Sequence, residues 1–119
     1  MTRIALDNGR SWFDADRATK YPETTRWDGS NRISAVTGSQ WHHEALYITA
    51  GGQWVCNAWS QVQGEGEGYR IITPAEAAEW LILNEYTPAD VTAERETPET
   101  PAQLDAESAV VALMEAREV

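Results

Sequence analysis

The middle of the chain leaves little choice of conformation. Trp41 to Thr49 and Gln53 to Ser60 are two runs of bulky aromatic and β-branched residues, and Ala50-Gly51-Gly52 stands between them. Such runs favour extended backbone, and glycines accept the positive φ angles of a tight turn, so the spacing predicts a β-hairpin. Side chains alternate across a strand. Trp54, Cys56 and Ala58 therefore share one face, and Val55, Asn57 and Trp59 the other. Tyr69 to Ile72 predicts a third strand, reached through Gly64-Glu65-Gly66-Glu67-Gly68. Two further short strands are expected within Arg3 to Phe13, around Asp7-Asn8-Gly9-Arg10.

The sharpest helix signal follows at Thr73-Pro74-Ala75-Glu76. Thr73 can cap the helix, Pro74 suits its first turn, and Glu76 completes a capping box. The helix is expected to run to about Leu83 and stop at Asn84, with Ala77, Trp80, Leu81 and Asn84 on one face. Asp14 predicts a second, short helix through about Tyr21, ended by Pro22. Glu23 to Gln40 turns to Thr, Ser, Asn and Gly. This predicts an ordered loop anchored by Trp27 and Ile33, with a short strand around Ile33. Residues 92–103, with Thr97-Pro98-Glu99-Thr100-Pro101, predict a flexible linker. A last helix is expected to open at Asp105-Ala106-Glu107. Its apolar face holds Val110, Val111, Leu113 and Met114. A helix of roughly thirteen residues is marginal alone, so it must dock on its own domain, a twin chain or a partner.

These elements predict an α+β fold. An antiparallel sheet of about four or five strands carries one packed helix, and a C-terminal helix follows the linker. The expected divisions are a sheet domain over 1–91, the linker over 92–103 and the helix over 104–119. A length of 119 residues suits one modest core, in which six tryptophans supply much of the apolar area. The N-terminal run Met1 to Asp7 lacks the apolar stretch of a signal peptide, and no segment reaches the roughly 20 apolar residues of a membrane span. Cys56 is the only cysteine, so no intramolecular disulfide can form and a reducing cytoplasm is expected.

The formal net charge is −10. Nucleic acids and anionic membranes repel such a chain, and a basic protein surface complements it. The charge could equally serve to keep the protein in solution. It is unevenly placed. Residues 1–72 hold seven basic and eight acidic residues, a balance of −1, whereas residues 73–119 hold two basic and eleven acidic, a balance of −9.

Catalytic patterns are hard to find. The Gly64–Gly68 loop lacks the GxxxxGK[ST] pattern and places two carboxylates where phosphate would sit. His42-His43-Glu44 offers three metal-binding side chains in a row, but neighbours in a strand point to opposite faces. Cys56 would need a nearby base and an oxyanion site, and His42 or His43 on the adjacent strand is placed to come close. A buried thiol filling the core is the simpler reading. Neither enzyme activity, a cofactor nor a bound metal is expected. Trp59 is the tryptophan best placed for exposure beside polar Ser60 and Gln61, unless the sheet is covered on both sides.

The run Ala45-Leu46-Tyr47-Ile48-Thr49-Ala50-Gly51-Gly52-Gln53-Trp54-Val55 resembles small uncharacterised proteins of phages, plasmids and their hosts. In these, an LYxT strand, a glycine turn and a WxL strand precede a capped helix with an EAxxWL core. That core stands here as Glu76-Ala77-Ala78-Glu79-Trp80-Leu81, and Phe13-Asp14-Ala15-Asp16-Arg17-Ala18 looks like the group's short capped helix. The resemblance implies a mobile-element setting, in the cytoplasm of a bacterial host. Small acidic proteins there include anti-CRISPR proteins, which occupy the basic channel of a nucleic-acid-binding effector.

The expected function is inhibition of such a host defence protein by an acidic surface. Glu65, Glu67, Glu76 and Glu79 would meet basic groups, with Trp59 and Gln61 as a less polar anchor. The alternative is a phage assembly or accessory protein that self-associates, as a possible homodimer, through Val110, Val111, Leu113 and Met114.

Overall fold

The computed structural model describes residues 1–94 and 99–119. Its centre is the expected hairpin. β6 (His42–Ile48) and β7 (Trp54–Ser60) pair antiparallel from His42 opposite Ser60 to Ile48 opposite Trp54. β8 (Gly68–Ile72) extends the sheet on one side and β3 (Thr19–Pro22) on the other, giving the order β3-β6-β7-β8. Two small hairpins flank it: β1 (Arg3–Ala5) with β2 (Trp12–Asp14), and β4 (Thr25–Trp27) with β5 (Arg32–Ser34). Three helices follow: α1 (Pro74–Leu83), α2 (Pro88–Ala93) and α3 (Pro101–Ala116). The architecture is α+β with a C-terminal helix.

The two faces of the sheet are covered differently. Tyr21, Leu46, Ile48, Trp54, Cys56 and Ile72 point to one face, where α1, α2 and α3 bury them. The opposite face carries Val55, Tyr47 and Tyr69, which pack under Leu6 and Phe13 of the first hairpin. That hairpin is too small to roof the whole sheet, and the half of the face around Asn57 and Trp59 opens into a cavity.

The sequence expectations fail in four places, each for a physical reason. Asp14 does cap a helix, its side chain accepting from the Asp16 N–H, but the helix is a single 3-10 turn over Ala15–Arg17. Thr19 and Tyr21 then alternate inward while Lys20 and Pro22 face out, so period two prevails over the helical pattern. Pro22 is tolerated because β3 is an edge strand.

The segment 23–40 does hold the short strand expected around Ile33, as β5. The rest is less of a loop than expected, because β4 pairs with that strand in a hairpin. Its turn is held by Asp28, whose carboxylate accepts from the N–H groups of Ser30 and Asn31, and by Gly29 at φ 103°. Trp27, expected as an anchor, is 62% exposed there.

The segment after Asn84 forms α2, whose Thr87-Pro88-Ala89-Asp90 start builds the same reciprocal capping box as Thr73 and Glu76. Finally, α3 begins at Pro101 under a Thr100 cap, four residues before the expected Asp105. The expected linker therefore supplies residues to both helices, and its positions 95–98 lie outside the described residues. Gln103 is fully buried and donates to Thr19 Oγ1 at 2.7 Å, which no solvated linker would do.

The last helix is thus part of the core. Val110 and Met114 are buried against the sheet, with Val111 and Leu113 packed beside them. Its N-terminus leans on the central hairpin, where Thr100 donates to the Ala50 carbonyl and Gly52 meets Ala102. Tyr21 joins the two ends of the chain, donating to the Val91 carbonyl at 2.9 Å and lying 3.3 Å from the Glu107 carboxylate.

Candidate functional site

Two surfaces have the concavity and chemistry of a binding site, and they lie on opposite sides of the sheet.

The first is the open half of the sheet face. Antiparallel register sets Asn57 of β7 opposite Tyr69 of β8 and Ala45 of β6, and places Trp59 two residues further along the same face. With Lys20, Tyr47, Ser60 and the Glu65-Gly66-Glu67 loop they line a cavity of about 440 Å³. Asn57 is only 3% exposed. Its amide nitrogen donates to Glu67 Oε1 at 3.1 Å and to the Gly68 carbonyl at 3.0 Å. Both partners are acceptors, so the amide cannot be turned round, and its oxygen accepts no hydrogen bond among the described residues.

Tyr69 also donates to Glu67 Oε1, at 2.9 Å. Burial, reinforced by that carboxylate, pushes the phenol well above its ordinary value and keeps it a donor. Glu65 is held below its usual range, first by the Ser60 hydroxyl and then by His42, whose Nε2 lies 2.8 Å away. The Trp59 ring is half-buried and stacks on His43, with centroids 5.7 Å apart and planes 26° from parallel.

The second surface is a groove of about 620 Å³ among the three helices. Ile82 and Leu83 of α1, 42% and 49% exposed, form its floor with Tyr86, Pro88 and Met114. Glu79, Glu115 and Glu118 rim it, and Arg117 reaches across to Glu79 at 3.2 Å. Residues 73–119, which carry the balance of −9, include all three helices. The groove is therefore an apolar slot in an acidic layer.

The residues expected to contact a partner are divided between these places. Trp59, Glu65 and Glu67 line the sheet cavity, with Gln61 exposed in the turn beside it. Glu76 and Glu79 lie across the sheet on α1, where only Glu79 borders the groove. Of the four residues expected in self-association, Val110 and Met114 are buried inside their own chain, and Val111 and Leu113 pack beside them.

Sequence reasoning missed Glu23. This carboxylate accepts from Ser34 Oγ at 2.6 Å and from the Glu44 N–H at 2.9 Å, and it pairs with His43 Nδ1. His43 Nε2 faces the Gln40 carbonyl at 3.1 Å, so both ring nitrogens meet acceptors inside the protein. A glutamate just after a proline gave no hint of this, because its partners come from β5 and β6.

Cys56 sits opposite Leu46, four positions along the strands from His42 and Ser60, roughly 13 Å at strand rise. Burial, with Glu44 adding to it, pushes its thiol up to about 12. The described residues contain no group of three or more His, Cys, Asp or Glu able to hold a metal ion, and no helix among them is long and apolar enough to cross a membrane.

Comparison with protein-family models, curated proteins and solved structures finds no match. The functional argument rests on this geometry.

Proposed function

We propose that the chain is a binding protein whose helical layer captures a basic, amphipathic segment of a partner protein. The observation that carries this is the apolar groove set inside the acidic layer. Ile82, Leu83 and Tyr86 offer the desolvated centre that interfaces need, and Glu79, Glu115 and Glu118 offer the charged rim. An apolar strip flanked by Lys and Arg complements both at once. The rim would steer encounter, and the floor would set the residence time.

The resemblance of the hairpin and of the Glu76–Leu81 core to phage and plasmid proteins supports a setting for this activity. The partner would be a nucleic-acid-binding defence protein of the host, of CRISPR type, whose basic surface the chain occupies and blocks. No cofactor enters this reading.

The test uses the full chain and a synthetic amphipathic helix carrying Leu on one face and Lys/Arg on its flanks. Backbone amide shifts should move in a saturable way at Ile82, Leu83, Tyr86 and Met114. Affinity should fall as salt rises, and Leu83→Asp should abolish the response. A scrambled peptide that binds equally well, or binding indifferent to salt, would overturn the reading.

A further inference from the structure

The sheet cavity lies on the far side of the molecule from the groove, and its chemistry is different. Lys20 brings one ammonium and Trp59 one indole N–H to it, but the carboxylates of Glu65 and Glu67 outweigh that charge and leave the lining net acidic. The Asn57 amide oxygen accepts no hydrogen bond among the described residues and stays open to solvent, and the amide's orientation is fixed by Glu67 and Gly68. Glu67 receives Asn57 and Tyr69 on one oxygen, Oε1, while its second oxygen receives no hydrogen bond among the described residues. Glu65 adds a second carboxylate. The walls are aromatic: Trp59, Tyr47 and Tyr69.

An anion is unsuited to two carboxylates and an amide oxygen. A bare metal ion would find too few ligands, since the residues here do not form a metal-binding group. What fits is a flat cation with several N–H donors, able to lie against a ring while donating to the carboxylate and amide oxygens. The aromatic wall already accepts a cation from within the chain, because Lys20 Nζ stands 5.8 Å from the centre of the Tyr47 ring at the cavity's edge.

We propose that this cavity is a binding site for a guanidinium group, held by Glu67 and the Asn57 amide oxygen and stacked against the Trp59 ring. The group can come from a free small molecule or from an arginine side chain displayed by a protein. Ammonium is the poorer ligand because it lacks the planar fork and the stacking face. The site is independent of the helical groove: either could be lost with the other intact.

The experiment titrates the full chain with three neutral-ended tripeptides, acetyl-Gly-Xaa-Gly-amide, in which Xaa is arginine, lysine or citrulline. Free arginine methyl ester is a fourth ligand. The readout is amide and indole N–H shifts, with the Trp59 indole assigned from Trp59→Phe. Saturable shifts at Asn57, Trp59 and Glu67 are expected with the arginine tripeptide, at least fivefold weaker with lysine and absent with citrulline, which keeps the shape and loses the charge.

Glu67→Gln preserves shape and can still accept from Asn57 and Tyr69, so its spectrum should stay folded while affinity drops about tenfold, the loss of one charge-assisted contact. Glu76→Gln, across the sheet, should leave this affinity unchanged. Arginine methyl ester binding as well as the tripeptide assigns the site to small guanidinium compounds, and tripeptide preference assigns it to a displayed side chain. Equal binding of citrulline, shifts confined to other residues, or full affinity in a folded Glu67→Gln variant would overturn the proposal.

Discussion

Replacing Gly52 by alanine tests whether the last helix is seated on the central hairpin. Gly52 has φ 81°, and a Cβ built there would stand 2.7 Å from the Ala102 carbonyl oxygen and 3.3 Å from the Ala102 Cβ. Two penalties follow. Placing an L-residue in the left-handed region costs about 1–2 kcal/mol. Relieving the contact requires the backbone of α3 to retreat from the turn, straining the Thr100–Ala50 hydrogen bond, and overpacking of this kind costs a further 1–3 kcal/mol or so.

Gly9 is the matched control. It has φ 72°, and a Cβ there meets nothing within 4 Å, so Gly9→Ala should cost only the first, conformational part, about 1–2 kcal/mol. The assay is urea denaturation followed by tryptophan fluorescence, with amide exchange read along α3. Gly52→Ala should lower stability by roughly 2–5 kcal/mol and speed exchange in the first turn of α3, whereas Gly9→Ala should leave that turn protected. Equal costs for the two variants, with α3 protected in both, would refute the docking.

Two further predictions concern single side chains. Glu76 and Asp90 are held below the ordinary values of 4.5 and 3.8, mainly by the N–H groups of Thr73 and Thr87. Their contribution is complete above those ordinary values and is lost as pH falls through the lower folded ones. Glu76→Gln with Asp90→Asn should therefore flatten the loss of stability between neutral pH and about pH 3, read as urea midpoints, and parallel curves for variant and parent would refute this. Cys56, its thiol pushed up to about 12 in the core, should resist a thiol-labelling reagent in native buffer at pH 8 and react quickly in denaturant. Fast labelling of the folded chain would contradict that burial.

What could be deduced from the sequence followed the strength of local repetition. The hairpin of β6 and β7 alternates over seven residues per strand, and α1 has a complete capping box, so both were legible. β3 offers only two inward residues, Thr19 and Tyr21, between a helix cap at Asp14 and a proline, and period two cannot be recognised over so short a run. The starts of α2 and α3 repeat the Thr-Pro signature of α1 at Thr87-Pro88 and Thr100-Pro101. There, a surrounding excess of Thr, Pro and Glu imitates a solvated linker.

The sites were less legible than the fold. Glu65 and Glu67 could be singled out by their charge. Trp59, expected to be the exposed tryptophan, is half-buried, while Trp12, Trp27 and Trp41 are exposed. Asn57 gains its meaning only from the register that brings Gly68 and the Glu67 loop beside it. The helical groove combines the ends of three helices, of which α2 was not foreseen from the sequence.

The Tyr21 contacts with Val91 and Glu107 and the burial of Val110 also set an order of events during synthesis. A ribosome adding about 5–20 residues each second delivers Val110 on the order of 5–20 s after Tyr21, because 89 residues separate them. Until then the sheet face bearing Leu46, Ile48 and Trp54 has α1 and α2 to cover it but lacks the share that Val110 and Met114 supply. Apolar surface left open in that interval invites chaperones and proteases. Chains that stop short of α3 leave exposed the part of that apolar face which Val110 and Met114 would bury.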